Sequence, residues 1–238
     1  MGKAAVEMND KQSGGEREPD EQEIVDRIYA AVMEQRLPPK TKLSEAKLCE
    51  SFGVGRMRIR RALLLLASQG IVDLHSNRGA FVSCPDRREA TDVFGARKHL
   101  ESSIIREVAV NASAKNLDVL RNHVALEDAA RQQNERREII RLSGEFHVKL
   151  AEATGNMVLR RVVRELVTRT SLIIGLFGTS GGSSCPDHEH QDILDAIQDK
   201  DPDAAEALVR AHLEHIEADL NLATERDSQP DLVSILGL

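Results

Sequence analysis

Residues 44–82 decide the fold of this chain, and they read SEAKLCESFGVGRMRIRRALLLLASQGIVDLHSNRGAFV. The stretch divides into a short amphipathic helix, a turn at Gly53, an arginine-rich helix, and a hairpin whose tip is Asn77-Arg78-Gly79. A winged helix-turn-helix has this order of elements, and its second helix enters the major groove of DNA. We therefore predict a mainly α fold that begins with this unit and carries a small β-hairpin wing.

The arginine-rich helix, predicted over residues 56–68, has two chemically different faces. Arg56 and Arg60 lie four residues apart and share one face, whereas Ile59, Leu63 and Leu66 fall on another and pack inward. A solvated basic helix without DNA is the alternative, but it leaves the following hairpin unexplained. The residues that we expect to contact DNA are Arg56, Met57, Arg58, Arg60, Asn77, Arg78 and Gly79.

The same stretch resembles the GntR family of bacterial transcription regulators. The matching residues are Gly53-Val54-Gly55-Arg56, Ile59-Arg60, Ala62-Leu63, Leu66, Gly70-Ile71-Val72 and Asn77-Arg78-Gly79-Ala80-Phe81-Val82. The chain departs from the family pattern at three positions. Gly55 stands where Ser or Thr is usual, Arg58 where Pro is common, and Arg61 where Glu is usual. The first change removes a phosphate-contacting hydroxyl, and the last adds positive charge on the DNA side.

Charge is distributed unevenly along the 238 residues, which suit one large domain or two modest ones. The formal net charge is −7, yet residues 21–85 hold ten Lys/Arg against seven Asp/Glu. Such asymmetry fits a basic DNA-binding part joined to an acidic regulatory part. Three dispersed cysteines and the lack of any long apolar run predict a reduced, cytoplasmic protein with no signal peptide and no membrane partner.

The chain divides into four parts: a disordered tail (1–20), a winged helix-turn-helix DNA-binding domain (21–85), an effector-binding domain (86–225) and a C-terminal tail (226–238). We call residues 21–85 the head and residues 86–225 the bundle. Apolar spacing is helical throughout the bundle, which predicts an all-α antiparallel arrangement of six or seven helices. Four consecutive leucines at 63–66 cover every side of their helix, and we expect the excess to be buried against the bundle.

Three histidines lie on the apolar stripes of three different bundle helices. His147, His190 and His212 are each at helical spacing from aliphatic residues and therefore face one interior. A single inward histidine is usually a core residue with a hydrogen-bond partner, but three unpaired imidazoles in one core would be costly. Neutral imidazole is a good ligand for zinc, nickel and similar ions. The spacing thus predicts a shared site inside the bundle.

The bundle is similar to the FCD ligand-binding domain, which defines the FadR branch of GntR regulators. The matching residues are Arg97-x-x-Leu100-Glu101, Phe146-His147, Gly155-Asn156, Glu189-His190 with Ile193-Leu194, and Arg210-Ala211-His212-Leu213. The resemblance implies a divalent metal, zinc or nickel, held by His147, His190 and His212 and by an Asp four residues before the first of them. It further implies a small carboxylate effector that completes the metal's shell, with Arg97 near the pocket.

Ser143 stands where the resemblance implies the aspartate. A hydroxyl is a poor metal ligand, so two alternatives follow. Either the metal binds more weakly with water in the gap, or the histidines bind an organic effector directly. Arg97 likewise has two interpretations, a pocket residue or a salt-bridge partner of Glu101 at i+4. The expected effector-binding residues are Arg97, Ser143, His147, His190 and His212.

The leading functional hypothesis is a homodimeric regulator, with a repressor favoured, whose affinity for operator DNA is controlled by a small-molecule effector. The alternative is a metal-dependent enzyme that uses the three-histidine site. That alternative needs a general base, but Glu145 and Glu189 are predicted to point away, and no H-E-x-x-H signature is present. We therefore predict that the chain is not an enzyme.

Overall fold

Helices dominate the computed structural model, which describes residues 17–178 and 188–221. The head consists of α1 (Glu21–Met33), β1 (Lys42–Leu43), α2 (Glu45–Phe52), α3 (Arg56–Ser68), β2 (Val72–His75) and β3 (Gly79–Val82). The bundle consists of α4 (Arg87–Asn111), α5 (Ala114–Gln132), α6 (Arg136–Ala153), α7 (Met157–Phe177), α8 (Glu189–Gln198) and α9 (Pro202–Ala218). This arrangement confirms the predicted fold class, with six bundle helices in the described part.

Most of the two predicted tails lies outside the described residues. All of residues 226–238 and most of residues 1–20 belong to that remainder. Residues 17–20 are described, and they enter α1 through a capping box between Asp20 and Glu23. Glu18 contacts Arg58 of α3, so the end of this tail lies against the head.

Two glycines end the helices α2 and α3 of the head, and the first of them lies at the predicted turn. Gly53 ends α2 with φ 65°, and Gly70 follows α3 with φ 68°, which is left-handed backbone that glycine adopts readily. The sheet adds an element that the sequence did not indicate. The two-residue strand β1 pairs antiparallel with β3, giving the order β1-β3-β2. A two-residue strand is too short to carry an alternating pattern.

The leucine run of α3 is only half buried, so the prediction for it is wrong in part. Leu63 and Leu66 are 3% and 0% exposed, whereas Leu64 and Leu65 are 58% and 41% exposed. No bundle helix covers Leu64 or Leu65 in the described structure, and Leu65 lies near the start of α1.

The bundle is antiparallel, and the head shares its hydrophobic core. Helix α4 packs mainly on α9, α6 packs on α5 and α7, and α8 packs on α9. The side chain of Asn156 caps α7 by accepting hydrogen bonds from two backbone N–H groups. Helix α1 of the head packs against α6 and α7 as well as against α3. No helix within the described ranges has the length and apolar character needed to cross a bilayer.

Candidate functional site

Three imidazoles from three helices meet in the bundle interior. The Nε2 atom of His212 on α9 lies 3.1 Å from Nε2 of His147 on α6 and 3.2 Å from Nε2 of His190 on α8. All three side chains are at most 3% exposed. The ring of Phe146 stacks on His190 with a centroid distance of 4.1 Å and so fixes the orientation of that imidazole.

Each of these histidines has a carboxylate behind it. Their Nδ1 atoms contact Glu101, Glu127 and Glu189 at 2.6, 2.7 and 2.7 Å, respectively. When Nδ1 carries the proton and donates it to the carboxylate, the Nε2 lone pair is left free to face the shared centre. Three free lone pairs at one point form a ligand set rather than a hydrogen-bonded core.

Burial keeps two imidazoles of the cluster, those of His147 and His212, neutral. Burial lowers the pKa of His147 to about 4, against the opposing effect of Glu101. Burial and the neighbouring His190 lower the pKa of His212 to about 3. Burial alone would raise the pKa of Glu101, but Arg97 and His147 hold it well below its usual range. The site therefore combines neutral nitrogen donors with ionised carboxylates at physiological pH.

The spacing of the nitrogens fits a metal ion. Two ligands at the usual zinc–nitrogen distance lie about 3.0–3.4 Å apart for coordination angles between octahedral and tetrahedral values. The nearest nitrogen pairs of the cluster, at 3.1 and 3.2 Å, fall in this range. All three ligand atoms lie within 4.8 Å of one another. The donor set suits zinc or nickel.

A small cavity of about 30 Å³ adjoins His147. Ser143 and Arg97, both predicted effector residues, line it, as does Thr170 of α7. Arg97 is 2% exposed and donates from Nε to Glu101 and from one terminal nitrogen to Thr170. Its other terminal nitrogen is buried and has no hydrogen-bond partner among the described residues. Arg97 thus forms the predicted pair with Glu101 and also lines the cavity.

Two buried polar residues of α5 were missed by the sequence analysis. Glu127, the partner of His190, is 1% exposed and follows His123 and Val124 by four and three residues, so the helical stripe could have revealed it. His123 is a fourth buried histidine of the bundle. Its Nε2 lies 2.8 Å from the carbonyl oxygen of Leu142, so it is a core residue with a partner and stands apart from the cluster.

The predicted DNA contacts of α3 lie at the surface, and some of them are already paired. Arg56 and Met57 are exposed, the latter by 62%. Arg60 donates through Nε to both oxygens of Glu45 at 3.0 and 2.9 Å, and its terminal nitrogens donate to no described residue. Arg58 donates to Glu18 at 2.9 Å. The guanidinium of Arg60 is therefore oriented at one end and free at the other.

The predicted wing forms a tight turn between β2 and β3. Asn77 and Gly79 have φ values of 63° and 93°, and both residues are exposed together with Arg78. The guanidinium of Arg78 lies 6.0 Å from the ring centroid of Phe81, which holds the side chain along the hairpin. The tip therefore presents one cation and a bare backbone.

Two family descriptions match this chain. "Bacterial regulatory proteins, gntR family" covers residues 20–82, and "FCD domain" covers residues 92–215. The chain belongs to the GntR family and carries an FCD domain. The repressor NanR of Citrobacter rodentium is 29% identical over 202 residues, covering 74% of this GntR regulator and 75% of NanR. The Nta operon transcriptional regulator of Aminobacter aminovorans is 26% identical, with 74% and 82% covered.

Solved structures share the fold of this GntR regulator. A putative GntR transcriptional regulator from Rhodococcus sp. RHA1 superposes with a TM-score of 0.74 at 19% identity, covering 86% of this chain and 99% of that one. McbR/YncC of E. coli superposes with a TM-score of 0.72 at 16% identity, with 83% and 95% covered.

The enzyme alternative finds no support in this GntR regulator. Glu145 pairs with Arg141 at 2.7 Å, and Glu189 binds Nδ1 of His212 on the far side of the ring from the shared centre. Among the described residues, the ligand group contains the three histidines and no carboxylate. The predicted orientation of both glutamates away from the centre agrees with these contacts.

Proposed function

We propose that this regulator is a cytoplasmic repressor that binds operator DNA as a homodimer and responds to a small carboxylate held in the bundle. The observation that carries the proposal is that two groups able to bind an anion or a metal lie at the same cavity. A three-nitrogen ligand set and a buried guanidinium with an unused donor meet at one cavity beside His147. A metal-bound carboxylate would satisfy both.

His147, His190 and His212 would hold a divalent metal, zinc or nickel. The ion would supply a positive charge that attracts an anion to an open coordination position. Ser143 contributes no charged ligand, so water and the effector would fill the remainder of the shell. Glu101, Glu127 and Glu189 orient the histidines and increase their basicity.

The effector class follows from Arg97. A buried guanidinium nitrogen without a partner is unfavourable, and a planar carboxylate is its best-matched acceptor. Arg97 and His147 share Glu101, one carboxylate oxygen bonding each of them at 2.6 Å. Glu101 therefore fixes Arg97 relative to His147. A carboxylate could bind the metal through one oxygen and Arg97 through the other.

The head would read DNA with α3 in the major groove and the wing on the backbone or in the minor groove. Arg56, Met57, Arg58 and Arg60 would lie along the groove, and Asn77, Arg78 and Gly79 would form the wing contact. Paired heads of a homodimer read half-sites separated by whole helical turns, so a small rotation between the heads changes affinity strongly. The name repressor, which NanR carries, supports repression here.

Two measurements test the proposal. Elemental analysis of protein purified without a tag or metal column should find zinc or nickel in the wild type, and more of it in Ser143→Asp. An operator selected from random duplexes should then bind with a different affinity when zinc-loaded protein meets acetate, succinate or citrate. If both proteins are metal-free and neither zinc nor nickel raises the melting temperature, the histidines do not form a metal site.

A further inference from the structure

One residue of the head forms part of the wall of the bundle cavity. Met33, the last residue of α1, lines it, whereas the other described lining residues belong to α4, α6, α7 and α9. Met33 is fully buried. The head thus reaches the space beside His147 and Arg97 directly, without an intervening linker.

Met33 contacts the bundle through its backbone and through its side chain. The hydroxyl of Ser171 on α7 donates to the Met33 carbonyl oxygen at 3.0 Å, which ties the end of α1 to the bundle. On α6, Gly144 leaves the space that the thioether uses, because a Cβ at position 144 would come within 2.9 Å of the Met33 methyl group. Methionine is unbranched and readily changes rotamer, so its side chain is the mobile part of this wall.

The size of the cavity makes that movement necessary for an organic ligand. A volume of about 30 Å³ holds roughly two water molecules and no acid larger than that. The other apolar walls are branched aliphatic side chains on packed helices, including Ile140 and Val167, which have fewer rotamers available. Among the polar lining residues, Arg97 and His147 are both held by Glu101. Entry of a carboxylate beside Arg97 therefore requires the Met33 thioether to leave.

Movement at Met33 reaches the DNA-binding helix through a rigid element. Helix α1 is 13 residues long, and its buried face includes Ile24, Ile28 and Val32. This helix packs directly against α3. Because Met33 is fully buried, its side chain needs new space when it leaves the cavity, and a shift of the α1 end supplies that space. Such a shift moves the support on which the recognition helix rests.

We propose that Met33 is the specificity-determining residue of the effector site and the link between that site and the head. This inference rests on the proposed carboxylate site. The acid and the inward Met33 rotamer compete for one volume, so acid binding selects the state in which α1 has shifted. Acid binding therefore changes the affinity for DNA, because the acid binds more tightly to the state in which α1 has shifted than to the other state.

The test uses the full-length, zinc-loaded protein, a selected operator, and acetate, succinate and citrate separately at constant ionic strength. In the wild type, an acid that raises the melting temperature should change operator affinity by about 5–150-fold. In Met33→Ala the volume is already open, so the same acid should bind about threefold or more tightly than in wild type. It should nevertheless change operator affinity less than about twofold, because nothing remains to be displaced.

Ile174→Ala is the matched control, because Ile174 lines the same cavity but belongs to α7 of the bundle. It should enlarge the cavity and keep the acid-dependent change in operator affinity. If Met33→Ala does not fold, Met33→Leu is the second test, since leucine keeps the side-chain volume but is branched. The affinity for the acid should then fall, and an unchanged affinity would overturn the inference.

Two negative results distinguish an error about Met33 from an error about the carboxylate site. If an acid binds and Met33→Ala retains the wild-type change in operator affinity, the link through Met33 is wrong while the carboxylate site stands. If no acid raises the melting temperature of wild type, Met33→Ala or Ile174→Ala, the proposed effector class is wrong, and the role of Met33 is overturned with it.

Discussion

The head and the bundle each contain three basic side chains backed by glutamates, in opposite surroundings. The arginines of the head form the pairs Arg58–Glu18, Arg60–Glu45 and Arg61–Glu21, with Glu18 in the segment just before the head. The histidines of the bundle form the pairs His147–Glu101, His190–Glu127 and His212–Glu189. The head pairs lie at the surface, with Arg60 and Arg61 side chains 55% and 64% exposed. The bundle histidines are at most 3% exposed.

This difference in burial changes what the same chemical pairing does. Exposed ion pairs are screened by salt and contribute little to stability, so DNA phosphates can replace the glutamates in the head. Buried pairs have no water to replace a lost partner, so they fix the histidine rings and cannot be exchanged. The head pairs are thus exchangeable and the bundle pairs permanent, and four predictions test this contrast.

The largest effect is expected from removing a histidine of the cluster. His190→Ala should abolish the rise in melting temperature that zinc produces in the wild type, because two remaining ligands bind too weakly to stabilise the folded state. His123→Ala is the control, since His123 is equally buried but bonds to a backbone carbonyl. It should lower the starting melting temperature and retain the zinc response. A zinc response that survives His190→Ala would place the metal elsewhere.

The next effect concerns a carboxylate behind the cluster. Glu127→Gln preserves the shape but loses the charge next to His190, so zinc affinity should fall by about 10–100-fold. Zinc competition with a chromophoric chelator measures the change. Glu138→Gln, on a half-buried ion pair of the same domain that contacts no histidine of the cluster, is the control and should leave zinc affinity unchanged. Equal affinities in Glu127→Gln and wild type would mean that the buried pair has no part in metal binding.

An intermediate effect is expected at the recognition helix. The terminal nitrogens of Arg60 remain free for a bidentate contact with guanine, so Arg60→Ala should weaken operator binding by about five- to a hundredfold. Binding to random DNA should weaken less, because only the electrostatic attraction between Arg60 and the phosphates is lost there. Fluorescence anisotropy on both duplexes gives the comparison, and equal losses would reduce Arg60 to a phosphate contact.

The smallest effect is expected from the acidic residue that pairs with Arg58. Glu18→Gln should tighten binding to random DNA several-fold and steepen its log–log salt dependence by about 0.9, because one more arginine meets a phosphate without first leaving a carboxylate. Glu50→Gln removes one exposed charge from the same head, and no described arginine contacts Glu50. Identical salt slopes in the two variants would show that the Arg58–Glu18 pair does not compete with DNA.

Periodicity explains which parts of this molecule could be predicted from its sequence. The bounds of α3 and the convergence of three histidines follow from the helical repeat, because it fixes the face on which each side chain lies. The partners of those histidines depend on how helices are arranged. Glu127 is 63 residues from His190, and Glu189 is 23 residues from His212, so pairing them requires the tertiary structure.

The helical repeat also explains why the prediction for the leucines of α3 was wrong in part. Four consecutive leucines point in all directions around α3, so the repeat cannot tell which of them is covered, and Leu64 and Leu65 are exposed. Ser143 was singled out through the family resemblance, and it lines the same cavity as His147, one helical turn further along α6. The helical repeat cannot predict that one terminal nitrogen of Arg97 lacks a hydrogen-bond partner, because this depends on the positions of all the surrounding atoms.

The contact between Gly70 and Arg169 has a consequence for engineering chimeric regulators. Gly70 in the head lacks the Cβ that would come within 2.5 Å of the Arg169 guanidinium, and Arg169 also pairs with Glu89 at the start of α4. A head transplanted from another regulator with a larger residue at this place would have to shift the flexible end of Arg169, and its own backbone would be strained because φ is 68° there. Chimeras that join a foreign reading domain to this sensor should therefore be screened first for glycine at that position, because a well-matched junction sequence would not remove that strain.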